Sequence, residues 1–101
     1  MHIEIETAAG VEHSAALEEH VHNAVAHLDR RFGDRITRLE VFFKDVRPGK
    51  GGVDKACTLE ARLAGMDPVV VETLNENVYD AVREAVDKVE RAIDKRVGRK
   101  A

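Results

Sequence analysis

The chain has no tryptophan and, among its 101 residues, only one tyrosine and three phenylalanines. Its core must therefore be built from valine, leucine, isoleucine and alanine, which fill space by interdigitating. A single cysteine, Cys57, excludes an internal disulfide and fits a reducing compartment. No stretch approaches the roughly 18 apolar residues of a membrane span. The opening Met1-His-Ile-Glu-Ile-Glu6 has neither the basic start nor the apolar run of a secretion signal. Repeats, low-complexity segments and linkers are also missing. One domain covering residues 1–101, in a soluble cytoplasmic protein, is expected.

Basic residues are scarce where the chain begins: residues 1–28 hold five glutamates and no lysine or arginine. Residues 29–62 carry nine bases against six acids, residues 63–87 one against six, and residues 88–101 six against two. The formal net charge of -3 argues against indiscriminate nucleic-acid binding. Its segregation into alternating blocks nevertheless leaves room for a local anion site, provided folding brings the basic blocks together.

Hydrophobic spacing gives the element order. His2 to Glu6 alternates with the period of a strand, Ile3 and Ile5 facing inward. Ser14 is placed to cap a helix over Ala15 to Phe32, whose stripe is Leu17, Val21, Ala24, Val25, Leu28 and Phe32 and whose stop is Gly33. Ile36 to Val46 and Lys55 to Ala64 return to period two, joined by the turn-rich Arg47-Pro-Gly-Lys-Gly-Gly52. Leu39, Val41, Phe43, Cys57, Leu59, Ala61 and Leu63 point inward. Pairing Val41 with Leu59 would set Arg38 opposite Arg62 and Glu40 opposite Glu60, so a register slipped by two residues is expected. After a turn at Gly65-Met-Asp-Pro68, Val69 to Thr73 forms a fourth strand. Asn75 or Asn77 then caps a closing helix with the stripe Val78, Val82, Ala85, Val86, Val89, Ile93 and Val97.

The order β-α-β-β-β-α predicts an α+β fold, a four-stranded mixed sheet with two helices packed on one face. A right-handed crossover makes the first two strands parallel, and two turns make the remainder antiparallel. On that path both helices end at the same edge. Arg30, Arg31, Arg35 and Arg38 converge there with Lys88, Arg91, Lys95, Arg96, Arg99 and Lys100, an arrangement suited to binding phosphates.

Three runs add specificity: Ser14-x-Ala-Leu17, Leu28-Asp-Arg-Arg-Phe32, and Val78-Tyr-Asp-Ala-Val82 continuing to Asp87-Lys-Val-Glu-Arg-Ala-Ile-Asp-Lys95. With these the chain resembles, over nearly its whole length, the short form of the ribosome hibernation-promoting factor family, also called ribosome-associated inhibitor A or sigma-54 modulation proteins. The resemblance implies a fold distantly like a double-stranded-RNA-binding domain. It also implies binding in the decoding channel of the small ribosomal subunit, silencing and preserving ribosomes under stress or in stationary phase. Lys88, Arg91, Lys95 and Arg30 match positions that would face ribosomal RNA; Arg31, Arg35, Arg38, Arg96, Arg99 and Lys100 join them from the topology. The expected partners are the small subunit and its RNA, with no DNA, membrane or cofactor. A monomer is expected, since the chain stops before the dimerisation domain of long members.

Other chemistry finds little support. His13, His20 and His27 fall seven residues apart, about 10.5 Å of helical rise, too far for two to share a metal. Gly49-Lys-Gly-Gly52 lacks the spacing of a nucleotide-binding loop and lies between strands. No acid, base and nucleophile cluster, so an enzyme is not expected. Two alternatives remain open: a generic module for structured RNA, and a self-associating domain that uses Phe42, Val70 and the open sheet face.

Overall fold

The computed structural model describes residues 1–8, 10–47 and 52–98. Its elements are β1 (His2–Thr7), α1 (Ala15–Phe32), a single 3-10 turn (Gly33–Arg35), β2 (Ile36–Asp45), β3 (Lys55–Leu63), β4 (Val69–Asn75) and α2 (Val78–Gly98). The strands lie in the order β1-β2-β3-β4, with β1 and β2 parallel and the other neighbours antiparallel. This is the expected α+β arrangement, a mixed sheet with both helices on one face.

Local chemistry sets the helix ends. The Ser14 hydroxyl accepts from the Leu17 amide at 3.0 Å, supplying a partner for one of the first-turn donors of α1. Gly33 closes the helix at φ 55°, a left-handed geometry, with its amide donating to the Asp29 carbonyl. For α2 the cap is Asn77, whose Oδ1 accepts from the amides of Tyr79 at 2.7 Å and Asp80 at 3.4 Å. Asn75 instead receives the Asn77 amide and donates to Glu84, which joins the end of β4 to the helix. β4 thus runs two residues past the expected Thr73, reaching Asn75 with Leu74 half exposed.

Leu17, Val21, Val25, Leu28 and Phe32 of α1 and Ala81, Val82, Ala85, Val86, Val89 and Ile93 of α2 are buried against the inward side chains of β2 and β3. Thr73, the one buried hydroxyl in this layer among the described residues, donates to the Ala81 carbonyl at 2.7 Å. The two helices run parallel, as three side-chain links show. His20 Nε2 donates to the Tyr79 carbonyl at 3.1 Å, His27 meets Glu90, and Arg31 meets Glu90 and Asp94.

The hairpin register corrects the sequence expectation. Val41 does pair with Leu59, so Arg38 lies opposite Arg62 and Glu40 opposite Glu60. The like charges are relieved along the strands and diagonally. Arg38 bonds Glu40 on its own strand at 2.8 Å and reaches Glu4 on β1, while Arg62 bonds Glu60 at 2.9 Å and Glu40 at 3.1 Å. The other end of the hairpin fixes the register. Lys55 pairs with Asp45, and its ammonium lies 3.2 Å from that carboxylate and 2.8 Å from Asp54, which is 1% exposed. A two-residue slip would carry Lys55, together with its neighbour Asp54, away from the Asp45 carboxylate, whose side chain is 8% exposed, a larger penalty than two relieved surface repulsions.

Candidate nucleic-acid interface

The crossover brings the ends of both helices to one edge of the sheet. There the Arg35 carbonyl accepts from the Ala64 amide at 2.9 Å, and Arg96 Nη1 donates to the Asp67 carbonyl at 2.5 Å. The close of α1, the β3–β4 turn and the close of α2 therefore adjoin. One turn group along, Lys88 Nζ donates to the Glu72 carbonyl at 3.3 Å, over the outer edge of β4. A carbonyl oxygen orders Lys88 and Arg96 without cancelling their charge, which leaves both available to an anion.

The ten sequence-derived cations fall into three groups. Among the described residues no carboxylate lies within ion-pair distance of Arg30, Arg35, Lys88, Arg91, Lys95 or Arg96; all but half-buried Arg96 are exposed. Arg31 and Arg38, by contrast, are engaged by acids. Arg31 sends Nη1 to Glu90 and Nη2 to Asp94, each at 2.6 Å, and its guanidinium stacks 4.9 Å from the Phe32 ring centroid. Hydrogen bonds to Glu90 and then Asp94 hold the Arg31 pKa above its ordinary value. Hydrogen bonds from His27 and then Arg31 hold the Glu90 carboxyl below its own. Arg38 lies at the same end of the molecule but on the open sheet face, between Glu4 and Glu40. Arg99 and Lys100 lie outside the described residues.

Among the described residues, two cations outside that set also have no carboxylate within ion-pair distance: Lys44 and Arg47, exposed at the opposite end of β2. Their signal was the basic run leading into the glycine-rich loop. Residues 48–51 of that loop lie outside the described residues.

The rest of the surface offers no reactive centre among the described residues. A shallow groove of about 240 Å³ between the helices is lined by Ala24, His27, Arg83, Val86 and Asp87. Arg83 in it is already paired with Asp80. Among the described residues, no group of three His, Cys, Asp or Glu is placed to hold a metal ion. Cys57 is fully buried, and burial pushes its thiol up to about 12, which keeps it protonated and unreactive. Among the described residues, no helix is long and apolar enough to cross a membrane.

A mixed sheet backed by two parallel helices defines a small α+β domain. The chain belongs to the sigma 54 modulation protein / S30EA ribosomal protein family, whose profile it matches over residues 3–101. That family consists of ribosome-associated modulation and hibernation factors without enzymatic activity. Two solved structures share the fold. The N-terminal domain of Thermus thermophilus Protein Y superposes with a TM-score of 0.77 at 24% identity, covering 94% of this chain and 98% of that one. A ribosomal subunit interface protein from Coxiella burnetii gives 0.79 at 22% identity, covering 97% and 99%. Comparison with curated proteins gave no match.

Proposed function

We propose that the protein acts in the cytoplasm by binding the small ribosomal subunit in its decoding channel. There it excludes messenger and transfer RNA and holds ribosomes silent but intact under stress or in stationary phase. Family membership supports the ribosome as partner. The observation that carries the choice of surface is the group Arg30, Arg35, Arg91, Lys95 and Arg96 toward the helix ends, with Lys88 midway along α2, cations with no carboxylate partner among the described residues. Phosphate contacts from such a group supply affinity and orientation without reading sequence.

The test is co-sedimentation with isolated small subunits together with cell-free translation. Binding that weakens steeply with salt, and initiation that falls as the protein approaches stoichiometry, are expected. Undiminished translation at severalfold molar excess over ribosomes would overturn the proposal. A second reading, self-association through the open sheet face, has Phe42, Val70 and Leu74 in its favour, at 37%, 57% and 50% exposure. A concentration-dependent mass in solution would identify it.

A further inference from the structure

Arg31 differs from its cationic neighbours in being already occupied. Both terminal guanidinium nitrogens face carboxylates at 2.6 Å, and the second oxygen of Glu90 is taken by His27 Nε2 at 2.9 Å. A carboxylate is acceptor-only, so His27 must donate from Nε2 whether neutral or protonated. The four side chains form a clasp across the last turns of α1 and α2. It joins residues 59 and 63 positions apart in the chain. Arg91 and Lys95 lie on the same turns of α2 as Glu90 and Asp94, and Arg30 precedes Arg31 on α1. Whatever fixes the clasp also fixes the separation of those cations.

We infer that Arg31 is a positioning residue for RNA binding rather than a phosphate contact. It neutralises Glu90 and Asp94 within the basic end and locks the two helix termini at the spacing in which Arg30, Arg91 and Lys95 meet RNA phosphates. Without Arg31, two carboxylates stand uncompensated beside the phosphates and repel them. The planar fork suits the role, because Nη1 and Nη2 hold Glu90 and Asp94, one turn apart on α2, in a fixed geometry that a flexible ammonium does not pre-set. The inference rests on the ribosomal reading above, and its test separates the two.

The experiment measures small-subunit affinity of the full chain across a salt series, with melting curves as folding controls. Arg31→Gln should weaken binding severalfold, and Arg31→Lys should weaken it too, although the charge is kept. The triple variant Arg31→Gln, Glu90→Gln, Asp94→Asn should bind more tightly than Arg31→Gln, because the repelling acids go with the arginine, yet stay below wild type, because the clasp is lost; its salt slope should be unchanged. If Arg31 instead touched a phosphate, the triple variant would bind no more tightly than Arg31→Gln. It would also lose about 0.7–0.9 of a unit of logarithmic slope, and lysine would substitute well; either result overturns the inference. Amide hydrogen exchange in the last turns of α1 and α2 reports the clasp without ribosomes and should accelerate in Arg31→Gln. No acceleration would overturn the clasp by itself, whereas unaltered protein that fails to bind subunits would overturn only the ribosomal reading.

Discussion

At Gly10 the chain passes so close to β2 that an added Cβ would lie 2.7 Å from the Asp45 Cβ, and φ there is +94°. Asp45 cannot readily give way. Its carboxyl is held below the usual range, first by the Arg47 amide and then by Lys55, whose ammonium also serves the buried Asp54. The connection from β1 to α1 and the root of the β2–β3 loop are thus braced against each other. Gly10→Ala combines a steric clash with a left-handed backbone, together about 1–3 kcal/mol. In a chain this size each kcal/mol lowers the melting midpoint by about 4–8 °C. Thermal denaturation checks this, and an unchanged midpoint would show that the connection yields instead. The same corner shows that Lys55 serves the fold: charge counting alone places it among the loop cations, yet it is enclosed by two acids.

The two helices depend on each other at three heights, and the uppermost link is sensitive to acid. The Glu90 carboxyl titrates below its ordinary value because His27 and Arg31 donate to its ionised form. A carboxyl depressed on folding stabilises fully above its unfolded pKa and loses that contribution as pH falls through the folded value. Melting midpoints of the wild type should therefore drop on acidification below about pH 4.5. Glu90→Gln, starting lower at neutral pH, should drop less over the same range; parallel curves would mean that the link adds nothing. Much at this scale was legible in the sequence. The bounds of α1 could be read because Ser14 and Gly33 mark its ends by hydrogen bonding and backbone geometry. The parallel course of the helices followed from crossover handedness. The strand register was not legible, because weighing only directly opposite residues ignores the same-strand and diagonal pairs that Arg38 and Arg62 make. Nor could the sequence show Arg31 as occupied, since its two acids lie 59 and 63 residues away and meet it only once the helices dock.

Across the whole molecule, positive charge without a carboxylate partner among the described residues lies at two ends: the helix termini, with Arg91 and Lys95, and the far end of β2, with Lys44 and Arg47. The proposed site commits to the first. Comparing the two ends by exchanging lysines of the glycine-rich loop would mislead, because Lys55 holds Asp45 and Asp54 and its loss would disturb the fold. Lys44 and Arg47 are the better control, being exposed and without a carboxylate partner among the described residues. Arg91→Gln with Lys95→Gln should lower small-subunit affinity and flatten the salt dependence by roughly one to two logarithmic units, since each lost phosphate contact removes about 0.7–0.9. Lys44→Gln with Arg47→Gln removes the same net charge from the molecule. It does so at the far end, where salt screens its field at the proposed site, so the comparison isolates contact at the helix termini. A small, slope-preserving loss is expected for the second pair. Equal slope changes would mean that RNA spans both ends of the sheet, and a slope change confined to the second pair would move the interface away from the helix termini altogether.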